Sequence, residues 1–365
     1  MTPPTILVAG GGSGGHLMPA LAIAGALRTR HPDWRFVMVG ARRGVEATLL
    51  PQRDFPFELL PFEPIYRRQW WRNWRWPVLA ITLIRATDRL LDRERPALVL
   101  GTGGYAAGPV VWRAARRGIP TAILEQDAFP GIVTRRVAGR VNEIFLSVPE
   151  AARHLRAGPK TAVTVTGSPI LPPTPDRRAG ARVRFGLDDA DRVVLVTGGS
   201  QGALAINERV AEWIDGGLPP GLVVIWATGA TSHERFARYG KLPNVRVTAF
   251  LDPMADGYAV AELVVSRAGM TTIAEICAWG LPSILIPLPT AAANHQAKNA
   301  AALEAAGAAV AFAQASLTGR RLGEVIGDLL GDPVRLAELR RQATARGRPG
   351  AVAEICTRLE GLVRP

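Results

Sequence analysis

Ile6-Leu7-Val8-Ala9-Gly10-Gly11-Gly12-Ser13-Gly14-Gly15-His16 is four apolar residues, then six that are all glycine or serine, then a histidine ahead of the long run Pro19 to Leu27. A short, wholly apolar run reads as a strand buried on both faces, and a glycine-rich turn leading from it into a helix reads as the start of a βαβ unit. Working outward, Phe36 to Val39, Ala97 to Leu100 and Thr121 to Leu124 repeat the strand signature with longer periodic stretches between them, which predicts a parallel sheet. Past the proline-rich stretch Ser168 to Pro175 the same grammar restarts: Val193 to Thr197, then Gly198-Gly199-Ser200-Gln201-Gly202-Ala203, then a helical run from Leu204 to Ile214. The prediction is an α/β chain of two facing Rossmann-like domains, with ligands at the carboxyl ends of the strands in an interdomain cleft. The expected bounds are an N-terminal domain over 1–171, a linker over 172–180, a C-terminal domain over 181–340, and a helical segment over 341–365 that packs back on the N-terminal domain.

The length of 365 residues suits two domains, each with its own core. The 44 basic residues outnumber the 31 acidic ones, for a net charge of +13, and all but Lys160, Lys241 and Lys298 are arginine. Such an excess favours anionic partners: nucleic acid, phosphorylated metabolites or an anionic membrane face. The cysteines, Cys277 and Cys356, lie at no zinc-ligand spacing and form no disulfide framework, which points to a reducing cytoplasm. Residues 1–15 carry no basic segment ahead of the apolar run, so no signal peptide is expected. The uncharged stretch 276–297 is broken by Pro282, Pro287 and Pro289, so no transmembrane span is expected there.

Gly10 to Gly15 spells G-x-G-x-x-G, whose amides can approach a phosphate at a helix N-terminus. A dinucleotide site would also need an acid at the end of the second strand, where the chain instead reads Gly40-Ala41-Arg42-Arg43. That disfavours NAD and leaves an NADP-binding reductase resting on Arg42 and Arg43. His16 falls in the first turn of the helix, where the dipole disfavours the protonated ring and favours a proton acceptor; a plain capping role is the alternative. Ser200 adds a hydroxyl to the second loop, which suits a diphosphate. A third glycine cluster, Gly101-Thr102-Gly103-Gly104-Tyr105, also follows a strand. Downstream, Ser266-Arg267-Ala268-Gly269 leads to Met270 through Glu275. The Glu275 carboxylate could accept both hydroxyls of a ribose, or could simply be solvated, and Arg267 with the loop amides could neutralise a leaving phosphate. Asp189-Ala190-Asp191 precedes a strand instead of ending one, so it reads as a turn and no metal site is expected. In residues 66–76 stand Trp70, Trp71, Arg72, Trp74, Arg75 and Trp76, which hold four of the nine tryptophans. Tryptophan with arginine is the chemistry of a membrane interface; single-stranded nucleic acid or a tryptophan-rich core edge are the other readings.

Taken in order, Gly10 to Ala20, Gly101 to Tyr105, Glu125-Gln126, Gly198 to Ala203, Glu275 with Gly280-Leu281-Pro282, and Asn294-His295-Gln296-Ala297-Lys298-Asn299-Ala300 resemble the MurG family. These are the glycosyltransferases of peptidoglycan synthesis that add N-acetylglucosamine to lipid I. The resemblance runs from about Ile6 to Gly307. It implies a GT-B fold, with the N-terminal domain for the lipid acceptor and the membrane and the C-terminal domain for UDP-N-acetylglucosamine. It further implies that Ser200 binds the donor phosphates, Glu275 the ribose, the Leu251 backbone the uracil, Met270, Thr271, Thr272, Ile273 and Ala274 the nucleotide, and Gln296 the sugar. Ser13, Gly14 and Gly15 would face the reacting centre, with His16 the preferred base and Glu125 the second candidate. Two positions depart from the family pattern. His-Glu-Gln-Asn stands here as Leu124-Glu125-Gln126-Asp127, and an arginine expected near the domain junction is Leu171. The implied reaction is an inverting transfer at the cytoplasmic face of the membrane by a peripheral enzyme. No cofactor, metal or nucleic acid is implied. Transfer to another lipid acceptor, or epimerisation of UDP-N-acetylglucosamine, are the enzymatic alternatives.

Overall fold

A computed structural model describes residues 3–363 of the chain except 13, 45, 63–75, 200 and 201. Among the described residues there are two parallel sheets. The first holds β1 (Thr5–Ala9), β2 (Arg35–Ala41), β3 (Phe57–Leu60), β4 (Leu98–Gly101), β5 (Thr121–Glu125), β6 (Glu143–Leu146) and β7 (Ala162–Val165), in the order β3-β2-β1-β4-β5-β6-β7. The second holds β8 (Arg192–Thr197), β9 (Leu222–Ala227), β10 (Val245–Thr248), β11 (Leu263–Ser266), β12 (Ser283–Leu285) and β13 (Val310–Ala311), in the order β10-β9-β8-β11-β12-β13. Both orders begin 3-2-1-4, so each sheet has a switch point where the chain reverses direction across the sheet, and there the loops after neighbouring strands diverge to leave room for a ligand. The switch points fall between β1 and β4, paired through Ala9 and Gly101, and between β8 and β11, paired through Thr197 and Ser266.

The central strands, such as β1 and β8, read as nearly unbroken apolar runs because both of their faces are covered. In β1, Leu7 and Ala9 enter a core with Val110, Val111 and Leu90, while Ile6 and Val8 enter another with Ile23, Leu27, Ile355 and Leu359. In β8, Val194 and Val196 face Ile206, Val210, Leu322 and Leu339, while Val193 and Leu195 face Tyr258, Val260 and Ile276.

The chain divides into Met1–Ile170 with Gly350–Pro365, and Leu171–Pro349. Two of the expected bounds are corrected by this division. Residues 172–180 are not a free linker: Arg178 opens the helix Arg178–Phe185, and the Arg177 Nε donates to Asp256 Oδ1 at 2.8 Å within the second unit. The bound at 340/341 cuts the helix Pro333–Arg346, whose Leu336 and Leu339 belong to the second core. The return to the first unit starts at Gly350, and the helix Ala351–Leu362 buries Ile355, Cys356 and Leu359 beside Ile23 and Leu27. Among the described residues no helix is long and apolar enough to cross a membrane.

Candidate functional site

At the first switch point, the loop after β1 opens the helix Gly14–Arg30, with His16 in its first turn and half-buried. Thr102 and Gln126 hold this histidine. Thr102 Oγ1 donates to the His16 carbonyl at 2.9 Å, and Gln126 Nε2 lies 3.1 Å from both the Thr102 carbonyl oxygen and His16 Nδ1. Only the NH2 side of the amide can meet the Thr102 carbonyl, so Gln126 donates to Nδ1 as well, and the neutral ring then carries its hydrogen on Nε2. Gly103 and Gly104 (φ +104° and +75°) make this approach possible. A Cβ at Gly103 would stand 2.5 Å from His16 Nδ1, and one at Gly104 1.9 Å from the Gly11 carbonyl oxygen.

Glu125 ends β5 and is buried, and its carboxylate is already engaged: Oε1 accepts the Asp127 N–H at 3.1 Å and Oε2 the Gly131 N–H at 3.0 Å. Gly131 is the cap of the helix Ile132–Val137, so Glu125 closes a helix N-terminus. Desolvation pushes its carboxyl up to about 7, against the lowering effect of the Thr134 side chain and the two backbone donors. Asp127 is half-buried beside it. Leu171 is 86% exposed at the start of the second unit, and its side chain brings no polar contact to either glycine loop.

At the second switch point, Gly199 N–H donates to Thr197 Oγ1 at 3.3 Å and Gly202 N–H to the Gly199 carbonyl at 2.9 Å, folding the loop onto itself ahead of the helix Leu204–Asp215. Buried Asn207 ties that helix to β9: its Nδ2 donates to the Thr228 carbonyl at 2.8 Å and its Oδ1 accepts from Trp226 Nε1 at 2.9 Å. Arg267 follows β11 directly and is buried. Its Nη1 donates to the carbonyls of Ile286 (3.0 Å) and Pro287 (3.3 Å), and its other guanidinium N–H groups take no acceptor among the described residues. Desolvation lowers its pKa below the ordinary arginine value. Gln296 reaches the same segment, its Oε1 accepting the Leu288 N–H at 2.9 Å. The helix Met270–Ala278 starts after Gly269 and carries Met270 and Ile273 inward, with Thr271, Thr272, Ala274 and Glu275 half-buried. Glu275 Oε2 accepts the Tyr258 hydroxyl hydrogen at 2.8 Å; burial raises the Glu275 carboxyl, and the tyrosine opposes that rise. Leu251 is half-buried two residues ahead of the helix cap Pro253.

The structure therefore gathers His16 with Thr102 and Gln126 at one switch point, and Arg267, Gln296 and the segment 286–288 near the start of the Met270–Ala278 helix at the other. Ser13, Ser200, Trp70, Trp71, Arg72, Trp74 and Arg75 lie outside the described residues, and the Trp76 side chain does too. The helix Trp76–Glu94 comes next in the chain after the aromatic-basic stretch, with Val78 and Ile81 exposed on the same face as Arg85 and Arg89. Asp189 and Asp191 lie in the turn before β8, where Asp191 Oδ2 accepts the Asp188 N–H at 2.8 Å. Arg42 Nε donates to the Leu59 carbonyl at 3.2 Å.

Sequence reasoning missed Glu46 and Tyr258, and gave neither Thr102 nor Gln126 a role. Glu46 had a signal. The acid sought at the end of β2 is absent from Gly40 to Arg43 but stands at 46, behind Gly44.

Residues 6–146 match the glycosyltransferase family 28 N-terminal domain and residues 193–355 its C-terminal domain. A protein of Desulforudis audaxviator named UDP-N-acetylglucosamine:N-acetylmuramyl-(pentapeptide) pyrophosphoryl-undecaprenol N-acetylglucosamine transferase is 38% identical over 98% of each chain. A transferase of the same name from Myxococcus xanthus is 40% identical over 96% of this chain and 91% of its own. Among solved structures, Acinetobacter baumannii MurG aligns with a TM-score of 0.79 and 26% identity, covering 98% of this chain and all of the other.

Proposed function

The chain belongs to glycosyltransferase family 28, and from that premise we propose that it moves N-acetylglucosamine from UDP-N-acetylglucosamine to the 4-hydroxyl of the N-acetylmuramyl sugar of lipid I, forming lipid II. The observation that carries the reading is the end-to-end identity of 38 to 40% with transferases named for that reaction. The chemistry at the second switch point supports it. There a buried arginine, with donors that meet no acceptor among the described residues, and a carboxylate in the adjoining helix suit a nucleoside diphosphate sugar.

In the proposed site the donor lies at the second unit. Glu275 accepts the ribose hydroxyls, the Leu251 backbone reads uracil, and Met270 to Ala274 line the nucleotide. Gln296 holds sugar hydroxyls, and Ser200 with Arg267 and the loop amides takes the diphosphate. The acceptor meets the first unit at Ser13, Gly14, Gly15, His16 and Asp127, while Leu171 leaves the family's usual arginine contact unfilled. The 4-hydroxyl oxygen attacks the anomeric carbon and the carbon–oxygen bond to the diphosphate breaks on the opposite face. UDP departs with the bonding electrons, so the configuration inverts. His16 remains the preferred residue against the attacking hydroxyl, because Glu125 is occupied by three hydrogen-bond donors. The Gln126 contact gives this role a condition: Nε2 can take a proton only once the ring hydrogen has moved to Nδ1 and the Gln126 amide has turned away.

The proposed location is the cytoplasmic membrane face, held peripherally. The helix Trp76–Glu94 presents Val78 and Ile81 beside Arg85 and Arg89, and the tryptophan-rich stretch leads into it. An anionic surface attracts each such cation with roughly 1 kcal/mol.

The test is transfer of labelled N-acetylglucosamine from UDP to a short-chain lipid I analogue, with EDTA and with magnesium in parallel. Labelled disaccharide product is the expected result. UDP-sugar binding without transfer would overturn the acceptor assignment, and release of an epimerised sugar would favour the epimerase alternative.

A further inference from the structure

Glu46 is wholly buried, and its partners among the described residues are backbone amides. The Gly12 N–H reaches both carboxylate oxygens, at 3.0 and 2.9 Å, and the Ala41 N–H reaches Oε1 at 2.9 Å. One carboxylate therefore fastens the glycine-rich loop after β1 to the end of β2. Three glycines make the space it occupies. A Cβ at Gly11 would stand 2.2 Å from its Oε1, one at Gly40 2.4 Å from its Cγ, and one at Gly44 2.2 Å from its Oε2. A buried carboxylate is costly unless donors surround it, so the loop and the acid specify one another.

We infer that Glu46 is the positioning residue of the Gly10–Gly15 loop, holding the turn that presents His16 to the acceptor; the catalytic part of this inference rests on the function proposed above. It touches no reacting atom. It also turns the Gly12 amide inward and places a negative charge against it, so this loop is a poor cradle for a nucleotide phosphate despite its G-x-G-x-x-G spelling.

The experiment uses the full chain carrying Glu46→Gln, which keeps the size of the side chain but turns an NH2 donor toward amides that are themselves donors. We expect kcat for transfer to the lipid I analogue to fall by about 10²-fold, the scale set by small misplacements of a catalytic group. The KM for UDP-N-acetylglucosamine should be unchanged, and the backbone amides of residues 10–16 should exchange hydrogen faster. A purely structural role would lower the melting temperature but leave kcat per folded molecule at the wild-type value. Gly44→Ala, which keeps the acid but crowds its oxygen, serves if Glu46→Gln does not fold, and the same pattern is expected. Wild-type kcat in the folded variant, or unchanged exchange in the loop, would overturn the inference. If the wild-type chain transfers nothing to lipid I, the functional reading fails, while the exchange rates still decide whether Glu46 holds the loop.

Discussion

The Gly10–Gly15 and Gly198–Gly202 loops follow the leading strands, β1 and β8, of two sheets with the same 3-2-1-4 order, yet opposite charges are built beside them. The first has the carboxylate of Glu46 fixed to the Gly12 amide. At the second, Arg267 follows Ser266, the β11 residue paired with the last residue of β8, and its guanidinium has, among the described residues, only the Ile286 and Pro287 carbonyls as acceptors. A glycine-rich turn thus supplies a shape, and under the proposed function the charge near it separates a loop for an anion from a loop for a neutral hydroxyl. Variants at four positions test this difference.

The largest effect is expected at His16. His16→Ala should lose on the order of 10² to 10⁴ in kcat while UDP affinity stays at the wild-type value, checked by steady-state kinetics and calorimetric titration. His16→Gln separates the roles available to the ring. A side chain that donates but accepts no proton keeps a measurable share of the rate if His16 acts as a donor, and matches the alanine variant if it acts as the base. Loss of UDP affinity in either variant would break the division between the loops.

Next comes Glu275. Its removal costs hydrogen bonds to a charged group, and Glu275→Ala should weaken UDP binding by about ten- to a hundredfold in a titration, with kcat at saturating donor changed far less. Equal affinity would remove the ribose contact from the account.

Glu125 gives a pH signature. Its carboxyl titrates at about 7 in the folded chain against an ordinary 4.5, so its contribution to stability is fully present below 4.5 and is lost as pH rises to about 7. The melting temperature of the wild type relative to Glu125→Gln should therefore fall between pH 5 and pH 8. A constant difference over that range would show that Glu125 does not titrate there.

The smallest effect concerns the exposed helix face. Ile81→Glu should reduce cosedimentation with vesicles containing anionic lipid by roughly fivefold, the equivalent of about 1 kcal/mol. Unchanged cosedimentation would detach this face from the membrane reading.

Most of the fold was legible because both sheets are buried on two faces, so strands such as Ile6 to Ala9 and Val193 to Thr197 appear as unbroken apolar runs ending in glycine. The domain bounds were less legible. Arg177 looks like a linker residue until its partner Asp256, 79 residues away, is brought to it, and nothing local in the Pro333–Arg346 helix says which core Leu336 and Leu339 enter. Part of the second site was readable because Arg267 follows the end of β11 directly. At the first, the deciding contacts are long-range: Gln126 to His16 spans 110 positions and Glu46 to Gly12 spans 34. The end of β2, where a ribose-binding acid would stand, carries none, and the acid two residues past Gly44 contacts the loop instead.

The most direct measurement is hydrogen–deuterium exchange of the full chain with and without UDP. Protection is expected in peptides covering residues 198–203 and 266–275, with unchanged exchange in peptides covering residues 10–16. Protection by UDP at residues 10–16 would contradict this expectation, because the nucleotide would then occupy the loop that Glu46 already holds.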